Sequence, residues 1–363
     1  MVDCDIHPIT RTPKDLHPYL PTRWRRHLET YGSFQRNPFF ANTAYPRYAP
    51  ALSRRDAWPP GGGTPGSDLD FMREQHLEPN NVLVGLLQVL APSGIAQRNV
   101  DFGAAMCRAV NEWQLVSWTT PEPRLRACLT IPQEDPAQAV AEIEHWAGDP
   151  AFAQIAMAPR AFNPLGQRRY WPIYEAAVAH GLPIGLHGSG YGGYPDTGSG
   201  NPSYYAEDHH SNAMSMQALV TSLMFEGVFE RFPDLKVVLI EGGFAWAPSL
   251  AWRLDKLWAR MADEVPHVPE PPSAYLRRNL WITSQPMEEP QKPRHLRDVI
   301  GWMGEDRLLF STDYPHWDYD DPTQVFKVGF DDELLDKLFL GNACAVYGFT
   351  LPEPAASGSP RAS

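Results

Sequence analysis

Eight short apolar runs recur along the chain, each closed by a polar or Gly/Pro break. They are VDCDIH (2–7), NVLVGLLQV (81–89), RACLTIP (126–132), AQIAMAP (153–159), PIGLHGSG (183–190), KVVLIEGG (236–243), LWITSQP (280–286) and LLFSTDYP (308–315). Helical patterns fall between most of them, at 102–116, 137–147, 169–181 and 213–232. Continuous apolar strands alternating with helices indicate a parallel sheet buried on both faces. Eight such strands predict an α/β fold, a (β/α)8 barrel of the TIM type with long loops on its active face. A doubly wound open sheet is the runner-up, but no GxGxxG follows an early strand. At 363 residues, 43% of them hydrophobic, the chain can fill one barrel domain, expected over 1–350.

Three segments break the rhythm. Residues 33–68 are too long and too rich in Pro and Gly for an ordinary connection. They follow the first strand, which predicts a lid over the active face. Residues 191–212, YGGYPDTGSGNPSYYAEDHHSN, read as a second long loop after strand five, and 351–363 as a disordered tail.

Composition excludes some partners. The net charge is −12 without a basic run, which argues against nucleic acid or an acidic membrane. No stretch reaches the roughly 20 apolar residues of a membrane span, and the first residues do not resemble a signal peptide. Cys4, Cys107, Cys128 and Cys344 show no CxxC spacing, so reduced thiols in a cytoplasmic protein are expected.

The chemistry lies where the strands end. In a barrel the active site forms at the C-terminal ends of the strands. The first strand carries Asp3, Asp5 and His7 in alternation, and Asp5 and His7 should share a face and point into the mouth. His187 ends strand five, Glu241 strand six and Asp313 strand eight. Any one of these has an ordinary structural explanation, such as a turn or a hydrogen-bonded core histidine. Together, imidazoles and carboxylates converging in a partly dry mouth suit a divalent cation, because clustered buried carboxylates would otherwise repel one another. Zn²⁺, Mn²⁺ and Fe²⁺ accept this mixture of N and O donors.

The motifs DCDIHP, LHGSG, FEGVFERFPDLKVVLIEGG, STDYPHWD and LGNACAVYGF, spread from residue 3 to residue 349, resemble the amidohydrolase superfamily. The resemblance is to the amidohydrolase-related branch that contains aminocarboxymuconate-semialdehyde decarboxylase and the resorcylate-type decarboxylases. It implies one metal ion held by Asp5, His7, His187 and Asp313. It also marks a departure: some decarboxylases of the family have an acid/base histidine before the paired glycines, where this chain has Glu241. A glutamate can move protons if its pKa is raised, and it can also ligate or bridge metals. Further groups stand nearby in sequence: Glu207, Asp208, His209 and His210 after strand five, Glu288 and Glu289 after strand seven, and His316 after Asp313. They exceed the needs of a single ion, so two adjacent metals are open.

Two enzymatic readings follow. One is a metal-dependent hydrolase or non-oxidative decarboxylase, with Asp313 or Glu241 moving the proton and His316 or His209 orienting the substrate. The other is an oxygenase on the same barrel, with Glu241, His209 or His210, and His316 completing a two-iron centre. A scaffold without activity is disfavoured because each expected ligand position carries a competent residue. Trp58, Phe39, Phe40, Tyr45, Trp246, Trp317 and Tyr319 fall in or beside active-face loops and favour a small cyclic or aromatic substrate, with a carboxylate that the metal could hold. A homodimer is expected from the resemblance.

Overall fold

The fold is known from a computed structural model, which describes residues 1–32, 52–95, 97–188, 200, 202–326 and 329–350. All eight apolar runs coincide with strands, to within a residue at the start of β3 and β4: β1 Val2–Ile6, β2 Val84–Leu87, β3 Leu125–Thr130, β4 Phe152–Met157, β5 Ile184–His187, β6 Val237–Ile240, β7 Leu280–Thr283 and β8 Leu308–Leu309. Each pairs in parallel with the next, in the order β1 to β8. Cys4 N–H donates to the Phe310 carbonyl at 3.0 Å and His7 N–H to that of Tyr314 at 2.7 Å, which joins the last strand to the first. The sheet is a closed (β/α)8 barrel.

Residues near the first strand's start fill the interior. Val2 and Cys4 are fully buried and pack with Leu86, Cys128, Val238, Ile240 and Leu309 from other strands. Ala343 and Val346, on the helix Asn342–Tyr347, join the same cluster. Ile6 instead packs outward, against Leu16, Leu77 and Val110. The switch has a local cause. Asp3 pairs with Gly85 and Ile6 with Leu87, so three steps on β1 oppose two on β2. One extra residue makes a bulge, and a one-residue slip exchanges the faces of everything beyond it. Asp3 therefore parts company with Asp5 and His7, although the three alternate in sequence.

The helices largely follow the sequence patterns. Pro136–Trp146 begins at Asp135, whose carboxylate accepts from Gln138 N–H at 3.3 Å, a conventional N-cap. The helix after β5 starts earlier than expected. It runs Tyr205–Phe225, so 205–212 is its first two turns and not loop. Glu207 anchors that start by accepting from the Ser203 and Tyr204 N–H groups at 2.9 and 2.8 Å.

Of the expected lid, residues 33–51 lie outside the described residues, as does the 351–363 tail. The remainder, from Leu52, lies against the end of β8. Trp317 N–H donates to Leu52 O at 2.9 Å, and Arg54 N–H to Pro315 O at 2.9 Å. Gly66 (φ +79°) presses on the His7 carbonyl so closely that a Cβ there would collide with it. The four cysteines are free thiols. Among the described residues, no helix is long and apolar enough to cross a membrane.

Candidate metal centre

The strand ends bring together the residues that the sequence pointed to. Asp5, His7 and His187 form one buried group of donor atoms, and His7, Asp313 and His316 a second that shares His7. His7 Nε2 lies 3.1 Å from Asp5 Oδ1 and 2.7 Å from Asp313 Oδ1. His187 Nε2 lies 3.5 Å from Asp5 Oδ2 and 3.2 Å from Glu241 Oε2. His316 Nδ1 is 2.7 Å from Asp313 Oδ1, and its ring stacks on that of His7 at 4.2 Å. Glu241 and Asp313 reach inward from backbone in the left-handed region, at φ +56° and +66°. Non-glycine residues pay for that conformation, and such strain concentrates at functional sites.

Apart from the His316–Asp313 hydrogen bond, these atoms are close without being hydrogen-bonded. Both Asp5 oxygens, His7 Nε2 and both His187 ring nitrogens are buried with no hydrogen-bond partner. His7 Nδ1 faces the Gln88 carbonyl at 3.0 Å. A carbonyl can only accept, so Nδ1 carries a proton and the Nε2 lone pair is left for the centre, the usual arrangement of a metal-ligating histidine. Unsatisfied buried carboxylates and imidazoles that converge in this way fit a divalent cation.

The charges in the group act strongly on one another. Burial alone would raise the pKa of Asp313, but the neighbouring His316 and His7 overcome it and hold the carboxyl well below its ordinary range. His7 is lifted well above the usual imidazole range, because Asp5 and Asp313 outweigh its desolvation. His187 moves down, with burial as the largest cause. Glu241 is pushed well up by burial and then by the negative charge of Asp313, Asp318 and Asp5. The centre thus combines ionised carboxylates with a glutamate inclined to hold a proton.

A further group adjoins it. His209 Nε2 lies 3.0 Å from Asp318 Oδ2 and 3.7 Å from Glu241 Oε1. The neighbouring Asp318 carboxylate raises the His209 pKa, against the effect of burial. Glu241 therefore stands between the two groups, with one oxygen toward His187 and the other toward His209. A cavity of about 240 Å³ opens over them, lined by Leu52, Leu90, Arg160, Gly188, Tyr205, Asp208, His209, Ser211, Asn212, Glu241, His316, Trp317 and Asp318.

Not every nearby candidate arrives. His210 is exposed, because one residue along a helix turns the side chain about 100° away from the face that carries His209. Glu289 is also exposed. Glu288 serves the backbone: Oε1 accepts from the Phe244 and Ala245 N–H groups at 2.9 Å each. It fits closely over Gly243, where a Cβ would stand 2.6 Å from that oxygen. Of the aromatics, Trp317 lines the cavity, with its indole N–H donating to Tyr205 OH at 2.8 Å. Trp58 is exposed, Trp246 donates to the Gly242 carbonyl, and Tyr319 packs on His76; none of these three lines the cavity. Phe39, Phe40 and Tyr45 lie outside the described residues. Sequence reasoning missed Asp318, Arg160 and Gln285. Asp318 was within reach of it, five residues past Asp313 in DYPHWD.

The amidohydrolase family model matches residues 2–349. The chain belongs to the amidohydrolase family. Among curated amidohydrolase relatives, a gamma-resorcylate decarboxylase from Polaromonas sp. (strain JS666) is 24% identical over 276 residues, covering 72% of this chain and 81% of that protein. Among solved structures, an amidohydrolase from Mycobacterium avium subsp. paratuberculosis K-10 superposes with a TM-score of 0.72 at 20% identity, covering 96% of this chain and 98% of that one. A 5-carboxyvanillate decarboxylase from Novosphingobium aromaticivorans DSM 12444, complexed with manganese and 4-hydroxy-3-methoxy-5-nitrobenzoic acid, gives 0.70 at 16% identity, covering 96% of each chain.

Proposed function

We propose that this amidohydrolase is a metal-dependent decarboxylase or hydrolase acting on a small aromatic or cyclic substrate that bears a carboxylate. The observation that carries this reading is the set of buried Asp5, His7 and His187 atoms that face one another without hydrogen bonds. Asp5, His7, His187 and Asp313 would hold the ion. When bound, a divalent cation supplies Lewis acidity and neutralises the carboxylates around it. Manganese and a substituted benzoic acid in the N. aromaticivorans relative support the choice of ion and substrate class. In a decarboxylation, Glu241 delivers its proton to the carbon from which CO₂ departs, and burial, which raises its pKa, favours the form that carries that proton. Arg160, the one Arg or Lys among the described residues lining the cavity, offers a cation to an anionic substrate. His316, Trp317 and Leu52 wall the cavity.

One observation favours a second reading. Glu241 lies between His187 and His209, with Asp318 beside the latter, as a carboxylate bridging two ions would. Two irons held this way would make the chain an oxygenase. Metal analysis of protein purified without chelators, with turnover assayed with and without air, separates the two. The first reading expects about one ion per chain and oxygen-independent turnover. It also expects Glu241→Gln to keep the ion and lose roughly 10²–10⁴-fold in rate. Near two irons per chain, loss of metal in Glu241→Gln and no anaerobic product would establish the second.

A further inference from the structure

Gln285 is fully buried two residues beyond β7, and no charge pattern in the sequence marks it. Its side-chain nitrogen lies 3.1 Å from Asp313 Oδ2 and 3.0 Å from Asp318 Oδ2. An amide NH₂ has two hydrogens, so it can donate one to each carboxylate. The opposite orientation would set a carbonyl oxygen against two carboxylate oxygens. Backbone contacts seat the residue: Gln285 N–H donates to Ser311 Oγ at 3.2 Å, and Ser311 N–H to Ser284 Oγ at 3.2 Å.

The consequence for Asp313 is specific. Its Oδ2 is held by Gln285, while its Oδ1 faces His7 Nε2 and His316 Nδ1 at 2.7 Å each. A carboxylate free to rotate about its terminal bond could present either oxygen, or both, to an ion. With one oxygen tethered, only the other is turned to the centre. A lysine or arginine could supply the same tether, but its positive charge would oppose a bound cation. An amide holds both acids without changing the charge of the site.

We propose that Gln285 is a positioning residue that fixes how Asp313 presents itself to the ion and locks Asp318, in the adjoining group, to the same anchor. The inference rests on the metal-centre reading above. Neighbours that orient metal ligands contribute to affinity as well as to rate, so the test reads affinity.

Mn²⁺ is titrated calorimetrically into the metal-free full-length wild type and the variants Gln285→Met and Gln285→Asn, with thermal melting of each as the check on folding. Met keeps length and apolar bulk but cannot donate, and Asn keeps the amide but draws it back by one methylene. Gln285→Met should melt cooperatively and bind Mn²⁺ about 10- to 100-fold more weakly than wild type. Gln285→Asn should lose less. Wild-type affinity in Gln285→Met overturns the proposal. So does loss of cooperative melting in both variants, with and without Mn²⁺, since Gln285 would then be a structural residue. A wild type that binds neither Mn²⁺, Zn²⁺ nor Fe²⁺ would instead sink the metal reading on which the inference stands.

Discussion

Asp3 and Asp5 are the same residue type, two positions apart on one strand, and both are 0% exposed. Their surroundings are opposite. Asp3 accepts from Asp5 N–H at 3.2 Å, Thr312 N–H at 2.9 Å and Thr312 Oγ1 at 2.6 Å, and faces His76 Nε2 at 2.9 Å. Asp5 has no hydrogen-bond partner on either oxygen. A buried carboxylate is tolerable when neighbours replace its lost hydration. Asp3 has those neighbours and joins β1 to the end of β8. Asp5 lacks them, which fits a cation standing in. Burial alone does not tell a structural acid from a ligand; the census of partners does.

Three substitutions test that contrast, beginning with the most drastic. Asp5→Asn should abolish tight Mn²⁺ binding and lower turnover by about 10³-fold, the equivalent of roughly 4 kcal/mol of lost transition-state stabilisation. Its metal-free melting temperature should equal or exceed that of wild type, because a buried charge without partners has been removed. A large fall in metal-free stability would erase the distinction. Asp3→Asn should do the reverse. Breaking a buried, hydrogen-bonded pair costs about 3 kcal/mol in urea unfolding, while the number of ions bound per chain should stay at the wild-type value. Loss of metal in a folded Asp3→Asn protein would place that residue in the centre after all. Thr312→Val is the mildest. It removes the hydroxyl that donates to Asp3 but keeps the N–H, and should cost about 2 kcal/mol with metal stoichiometry unchanged.

The barrel was legible because parallel strands buried on both faces leave uninterrupted apolar runs, and each of the eight runs overlaps one. The strand-end positions of Asp5, His7, His187, Glu241 and Asp313 were legible for the same reason, since a known strand end fixes depth in the barrel. What escaped depends on features that periodicity does not carry. The β1 bulge moved Asp3 to the opposite face, and one extra residue in a pairing leaves no mark in composition. His209 and His210 looked equivalent while their segment read as loop. A helix from Tyr205 gives them different faces, and its N-terminal signal was Glu207, three residues past the cap at Tyr204. Asp318 sits in an irregular turn where no repeat predicts direction. Gln285 is neutral, so a search for titratable groups passes over it.

The bonds between Asp3 and Thr312 span 309 positions of sequence. Ribosomes deliver a chain from its N-terminus, so β1 emerges long before the segment that completes it. Through most of synthesis, Asp3 has no threonine, Asp5 and His7 have no Asp313, and one side of β1 is a bare sheet edge. The cluster at the strand ends is not complete until nearly the last turn of the sheet has been made. Long-range closure of this kind is slow and leaves edges exposed while it waits. A circularly permuted chain that ran from β8 directly into β1 would make the seam a local contact, and should form it early instead of last.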